Sequence, residues 1–260
     1  MAAVGFSGVG LVSLASRLVS GLPGIARQMG NCPSVKLSLS PDSVERNSSM
    51  DTSRGVLRRM TKTTAGTIEI VCDEFSKKNF AQFVFGRIDS VAAGGTVNAT
   101  AFAGGATTAA VGDVLLMPDK NVTSVAITDS TGSPKTLTLG TNYELDAFNG
   151  SIKLLDITTG GPFVQPFKYA YTKGAVDVIS GLAVPDQELW LNMAGTNVDS
   201  GERGVLDAYR VRFGPAENID FINNDYQDYT IKGSILQDST KQAAAVGGQY
   251  FKFTVPSTIA

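Results

Sequence analysis

The sequence predicts a mainly β fold: a β-sandwich or barrel with one flanking α-helix, a long loop and extended terminal arms. Three observations predict it. Residues 204–238 hold two stretches with a period of two, the pattern of strands whose successive side chains leave opposite faces of the pleat. Short alternating stretches separated by turn signals recur through the second half of the chain, as in a sandwich or barrel. Only residues 73–86 show a convincing helical period.

In residues 204–214, Asp207, Tyr209, Val211 and Phe213 are expected on one face, and Leu206, Ala208, Arg210 and Arg212 on the other. Gly214 and Pro215 end this strand, because proline has no N–H for a ladder. The next strand places Tyr229, Ile231, Gly233 and Ile235 on one face, and Thr230, Lys232 and Ser234 on the other.

From the N-terminus, residues 1–30 form an arm with apolar content at Phe6, Val9, Leu11, Val12 and Leu14. The spacing of Leu11, Leu14 and Leu18 predicts a short helix from about Leu11 to Ser20, ended by Gly21, Pro23 and Gly24. No positively charged leader region precedes the apolar stretch, Arg17 interrupts it, and no segment reaches the ~18–20 apolar residues of a membrane span. A cytoplasmic product without membrane insertion is expected.

Residues 31–240 form the expected sandwich domain, with a Gly/Ala-rich, β-rich insertion near 88–175, and residues 241–260 form a C-terminal arm. Val35, Leu37 and Leu39 alternate with Lys36, Ser38 and Ser40; Ile68, Ile70 and Cys72 alternate with Thr67 and Glu69. These are two paired strands with one wet face. Between them, residues 43–63 carry Arg46, Arg54, Arg58, Arg59 and Lys62 against Glu45 and Asp51. A tight hairpin needs about 2–5 connecting residues, so this stretch is either a long extended hairpin or a functional loop.

Residues 73–86 predict a helix with Asp73 and Glu74 at its positive end, Phe80, Phe83 and Val84 as an apolar stripe, and Gly86 as C-cap. Residues 90–112 read as turns and Gly-rich links. Strands follow at 122–128, 135–139, 151–157 and 167–172, with Asn149–Gly150 as a turn before the third. In residues 188–194, Leu189, Leu191 and Met193 oppose Glu188, Trp190 and Asn192; Trp190 is either a half-buried surface anchor or an interface contact. The last strand, near 250–255, needs a sheet edge, its own or a neighbour's.

Chemistry is narrowed by what the composition lacks. The 260 residues contain no histidine, which removes the commonest general base and metal ligand and excludes a Ser–His hydrolase. Cys32 and Cys72 cannot make a zinc site alone; they read as small buried hydrophobes, with a disulfide left open. No phosphate-cradling glycine motif follows a strand, and no carboxylate pair is distinguished by its setting. No catalytic residue, cofactor or metal is expected. A net charge of −2 argues against tight nucleic-acid binding, yet it suits a surface that DNA slides past.

The stretch LDAYRVRFGPAENIDFI, its acidic and aromatic link and YTIKGSILQD, together with ELWLNMAGTN at 188–197 and DEFSKKNFAQFVFG at 73–86, resemble in pattern and order the core of phage tail tube proteins (major tail proteins). The resemblance covers roughly residues 30–90 and 140–240. It implies a non-enzymatic virion protein, made in the bacterial host cytoplasm and assembled as stacked hexameric rings through which double-stranded DNA passes. Implied partners are other copies and the tape-measure, tail terminator and distal tail proteins. By position and character, Glu45, Arg46, Asp51, Arg54, Arg58 and Arg59 fall on the loop that docks the next ring, and Glu69, Asp207 and Asp228 are candidate lumen-facing acids. The competing expectation is a secreted or surface β-sandwich adhesin.

Overall fold

The computed structural model describes residues 7–50, 52, 54–102, 105, 107–184, 187–242 and 246–256, apart from the side chains of 62–64. Among these residues the chain is mainly β, with antiparallel sheets and a single helix. It divides into two compact units, residues 1–87 with 179–260, and residues 88–178.

The first unit is built on one sheet. Its strands are β1 (Gly8–Arg17), β2 (Pro23–Gln28), β3 (Ser34–Asn47), β4 (Val56–Cys72), then, after the second unit, β13 (Glu188–Asn197), β14 (Arg203–Phe213), β15 (Tyr229–Ile235) and β16 (Phe251–Thr254). Their order is β2-β1-β13-β14-β15-β4-β3, and β16 also pairs with β14. One edge of β14 is shared: residues 211–213 pair with β15 and residues 205–208 with β16. The terminal strand therefore finds its edge within its own chain.

Strands from both ends of the sheet feed one core. Val12, Leu14, Leu189, Leu191, Val211, Ile231, Ile68 and Ile70 are buried in a single cluster, with Val35 and Leu37 packed against it. The sheet thus curls around its apolar face, and burying each such side chain contributes roughly 1.5–3 kcal/mol. The registers Val35↔Ile70 and Leu37↔Ile68 match the alternation read from the sequence.

Residues 8–28 depart from expectation. The predicted helix over 11–20 is instead β1, paired on one side with β13 and on the other with β2. Period two prevails because Val12 and Leu14 enter the core while Leu11 stays exposed, and because two neighbours satisfy the backbone. The turn into β2 uses Gly21 at φ 76, where a Cβ would run into Thr240.

The face assignment along β14 also changes midway. Leu189 faces Val211 and Leu191 faces Ala208, so Tyr209 and Arg210 together oppose the single Trp190. This bulge sends Ala208, Val211 and Phe213 to the core and leaves Asp207 and Tyr209 on the other face. There Trp190 packs on Tyr209 at 4.9 Å, with Lys241 Nζ 5.3 Å and 4.6 Å above the two rings. Trp190 is buried by its own chain, neither a surface anchor nor an exposed contact. The segment that covers it is fastened by Asp238, which accepts from Arg17 at 2.7 Å and from the Thr240 hydroxyl at 2.6 Å.

Helix α1 (Lys77–Phe83) is shorter than the predicted 73–86. Ser76 caps it by accepting from the Asn79 N–H, while Asp73 and Glu74 accept from Asn31 instead. At the other end Gly86 N–H donates to Ala81 at 2.6 Å and Phe85 N–H to Gln82 at 3.4 Å. That is a Schellman closure with Phe85, at φ 51, in the left-handed position; Gly86 lies one residue later. Phe83 stacks on Tyr229 at 4.9 Å, and buried Asn79 ties the helix to Met29 and Arg27.

The chain leaves the first unit through β5 (Arg87–Val91) and returns through β12 (Val176–Ser180), which pair with each other. The second unit holds β6 (Thr96–Ala101), β7 (Val114–Leu116), β8 (Val122–Thr128), β9 (Tyr143–Asp146), β10 (Ser151–Leu154) and β11 (Lys168–Lys173) in sheets ordered β7-β10-β9 and β6-β11-β8. The links expected over 90–112 thus contain strand β6, and the strand expected at 135–139 is reduced to bridges at Thr136 and Leu139. Gly150, at φ 64, closes the β9–β10 hairpin. Ile127, Ile152, Leu154, Phe167 and Tyr171 centre a separate core. Burial pushes the Asp129 carboxyl up, but donation from Lys135 and Val164 N–H and from Thr131 prevails and holds it at about 2.

Two predictions follow from these buried carboxylates. Asp238→Ala strands a largely buried Arg17 guanidinium and costs about 3–5 kcal/mol, whereas the paired Arg17→Met, Asp238→Leu chain loses much less, as read by urea unfolding. The folded pKa of Asp129 lies below the ~3.9 of an unfolded Asp. Its stabilisation is therefore complete above about pH 5 and drains away as pH falls from about 4 towards 2. Acid titration of wild type and Asp129→Asn checks this: the variant shows a shallower loss across that window.

Candidate functional site

Strands β3 and β4 outrun the sheet they belong to. β4 pairs with β15 only from Gly66 to Cys72, but with β3 from Val56 to Val71. From Ser40↔Ala65 to Asn47↔Val56 the two strands form a two-stranded arm, on the order of 25 Å long at about 3.3 Å per residue. Ser48 N–H donates to the Gly55 carbonyl at 2.8 Å to close its tip. Of the two readings of residues 43–63, the extended hairpin is the observed one.

Register sorts the arm's side chains. Val44↔Met60 and Arg46↔Arg58 share one face; Glu45↔Arg59 lies on the other. Arg59 reaches Glu45 at 3.5 Å and Ser43 Oγ at 3.2 Å. Both ends of that ion pair are exposed, so it contributes at most about 1 kcal/mol. Arg46 and Arg58 are direct cross-strand neighbours with no carboxylate paired to either among the described residues. Like charges placed opposite each other destabilise a strand pair. Val56, Leu57 and Met60 are more than half exposed, and Met50 is exposed at the tip. Arg54, also at the tip, has φ 46. Asp51 lies outside the described residues.

The predicted acids occupy different settings. Glu69, on β4, faces away from the core beside Lys232 at 3.8 Å, and Lys36 is its register partner on β3. Asp207 shares that outer face but is committed to Asn192 at 2.8 Å, Trp190 Nε1 at 3.3 Å and Lys252 at 3.4 Å. Asp228 is exposed on the connector before β15. The face also carries Arg210, which grips Glu188 through two hydrogen bonds of 2.8 and 2.5 Å and holds its carboxyl below the usual range. Cations and carboxylates alternate across it.

Sequence reading marked residues 214–228 as an acidic and aromatic link and named Asp228 in it, but assigned no role to its apolar residues. Ala216 and Ile219 pack against the core, and Phe221, Ile222 and Tyr226 are 81%, 96% and 95% exposed. Glu217, Asp220, Asp225 and Asp228 share this segment with no Lys or Arg. The signal was available, because two large apolar residues and a tyrosine among four acids do not make an ordinary solvated loop.

Cys32 and Cys72 come together at the end of β4 opposite the arm, with their sulfurs 2.8 Å apart. Both are free; Cys72 is buried and Cys32 half-buried. The contact with Cys32, reinforced by burial, raises the Cys72 thiol, while the Cys72 hydrogen bond lowers Cys32. Among the described residues no three His, Cys, Asp or Glu side chains converge as metal ligands, and no helix is long and apolar enough to cross a membrane.

The fold and arm define a class: a mainly β protein whose outermost hairpin projects beyond its own sheet. The chain belongs to the family described as protein of unknown function UCP028589, which it matches over residues 5–254. No curated protein matches it.

The opposed arginines yield a prediction for the isolated chain. Arg58→Glu converts repulsion at Arg46 into attraction and stabilises the arm by about 0.2–1 kcal/mol. Amide hydrogen exchange between Val44 and Asn47 checks this, and slowed exchange is the expected outcome.

Proposed function

We propose that this chain is a structural subunit of a phage tail tube, assembling through contacts with copies of itself into stacked, hexameric rings that conduct viral DNA. The observation that carries this reading is the arm. An isolated two-stranded hairpin is marginally stable in water, yet this one holds its pairing to Asn47↔Val56 while exposing Val56, Leu57 and Met60. Burial against a second copy supplies what the monomer lacks. Edge strands β2 and β3 offer further backbone groups for lateral pairing.

Several other features support the reading. The resemblance of residues 188–197 and 204–238 to tail tube proteins gives it a specific form. The outer sheet face, with Glu69 and Asp207 among alternating cations, suits a wall past which DNA slides without sticking. Double-stranded DNA is then a passing cargo, and the tape-measure, tail terminator and distal tail proteins are the partners at the tube's ends. The role requires neither catalysis nor a cofactor.

Electron microscopy of negatively stained protein across a concentration series tests the reading. Wild type is expected to form rings or tubes with a hole wide enough for a DNA duplex. A chain with residues 41–63 replaced by a short turn is expected to keep its circular dichroism and melting transition yet form no tubes. A wild-type chain that stays monomeric at every concentration overturns the proposal, as does an armless chain that still makes tubes.

A further inference from the structure

Resting on the assembly reading above, the geometry points to a specific receptor for the arm: the acidic, aromatic connector at 214–228 of a second copy. Three observations carry this.

The first is charge. From 42 to 62 the arm holds Arg46, Arg54, Arg58, Arg59 and Lys62 against Asp42, Glu45 and Asp51. The connector holds Glu217, Asp220, Asp225 and Asp228 and no cation. Glu217 is engaged by Lys232 at 3.0 Å, but Asp220, Asp225 and Asp228 have no ion-pair partner among the described residues. Arg46 and Arg58 are likewise without one, so cations and carboxylates are left unpaired on separate parts of one chain.

The second is shape chemistry. Val44 and Met60 lie beside Arg46 and Arg58 on one face of the arm. Phe221, Ile222 and Tyr226 lie among the connector's carboxylates and are almost fully exposed. Each surface is apolar with charges of one dominant sign. Met is well suited to such a contact, since its flexible thioether packs readily on aromatic rings.

The third is placement. The connector leads into Tyr229, which pairs with Cys72 at one end of β4. The arm's tip follows Asn47↔Val56 at the other end of the same strand. About 50 Å of strand separates them, so the arm cannot reach its own connector. It can reach that of a neighbour. When all copies point the same way, a contact between two different surfaces at opposite ends of a subunit is heterologous, and copies joined this way propagate head to tail, whereas a reciprocal antiparallel pair would close as a two-fold dimer. Arg46 and Arg58 of one copy therefore meet Asp220, Asp225 and Asp228 of the next, with Met60 and Val44 on Phe221, Ile222 and Tyr226.

Paired charge reversal tests this. One variant carries Arg46→Glu and Arg58→Glu, which preserves the like-charge cost within the arm; the other carries Asp225→Arg and Asp228→Arg. Sedimentation velocity and negative-stain microscopy read assembly, and circular dichroism and thermal melting read the fold. Each variant alone is expected to raise the concentration needed for assembly by about tenfold or more, because juxtaposed like charges oppose docking. The chain carrying all four reversals is expected to recover assembly. A mixture of the two variants is expected to recover assembly by alternation, since the arm of each is complementary to the connector of the other.

Folded variants that assemble like wild type, or a fourfold variant that stays dispersed, overturn the docking assignment while wild-type tubes keep the tube reading. Head-to-tail oligomers without a central hole that respond to the reversals support the docking and overturn the tube. A monomeric wild type overturns both.

Discussion

Backbone pairing along β14 is the constraint on which the first unit depends. Its bonds run to β13 on one side and, in succession, to β15 and β16 on the other. A strand this thoroughly paired cannot shift register without turning its apolar side chains away from the core. The bulge at Tyr209–Arg210 sets two faces to work. Ala208 and Val211 both stay in the core, and Tyr209 meets Trp190 behind the sheet. The segment after β15 is held over that second face by the Arg17–Asp238 pair, which fastens it to β1.

Against this well-satisfied centre stands an arm that satisfies little. Its backbone pairing runs to the tip with two register shifts, but most of its described side chains face water and two of its arginines face each other. Packing supplies most strand stability, through burial and cross-strand partners, and the arm has few of either. The foot of β4 is different: Ile68, Ile70 and Cys72 are fully buried and β15 pairs alongside. One strand thus joins the most stable part of the unit to the least stable part, and the junction falls near Gly66. A protruding element anchored in this way can yield to a partner without loosening the core.

Much of this was legible in the sequence where one face is buried and the other wet. The alternation in β3, β4, β13 and β15 appears because their inner faces meet the core and their outer faces meet water. Legibility failed where tertiary pairing overrode local spacing. Leu11, Leu14 and Leu18 sit at helical intervals, yet β13 offers β1 a complete ladder and a core for Val12 and Leu14. The bulge in β14 has no strong local signature, since an extra residue matters only against a particular partner strand. The arm's arginines were legible as a charge excess; the direct opposition of Arg46 and Arg58 needed the register. The connector was legible as an acidic and aromatic link, but the exposure of Phe221, Ile222 and Tyr226 needed the fold.

The near-neutral net charge conceals how unevenly charge is arranged. On the outer sheet face, Lys36, Glu69 and Lys232 follow one another across three strands, and Arg210 holds Glu188, so attraction is satisfied within the chain. At the two ends of β4 it is not. Cations gather beyond one end and carboxylates beyond the other, each with apolar side chains that water does not favour. Moving Asp225 or Asp228 beside Arg46 would settle both surfaces within a single copy, but the length of β4 forbids it. A stiff strand thereby keeps complementary surfaces apart within one molecule and leaves them free for another. In the docking proposed above, the repulsion retained between Arg46 and Arg58 would be a feature of the unassembled state that a neighbour's carboxylates relieve.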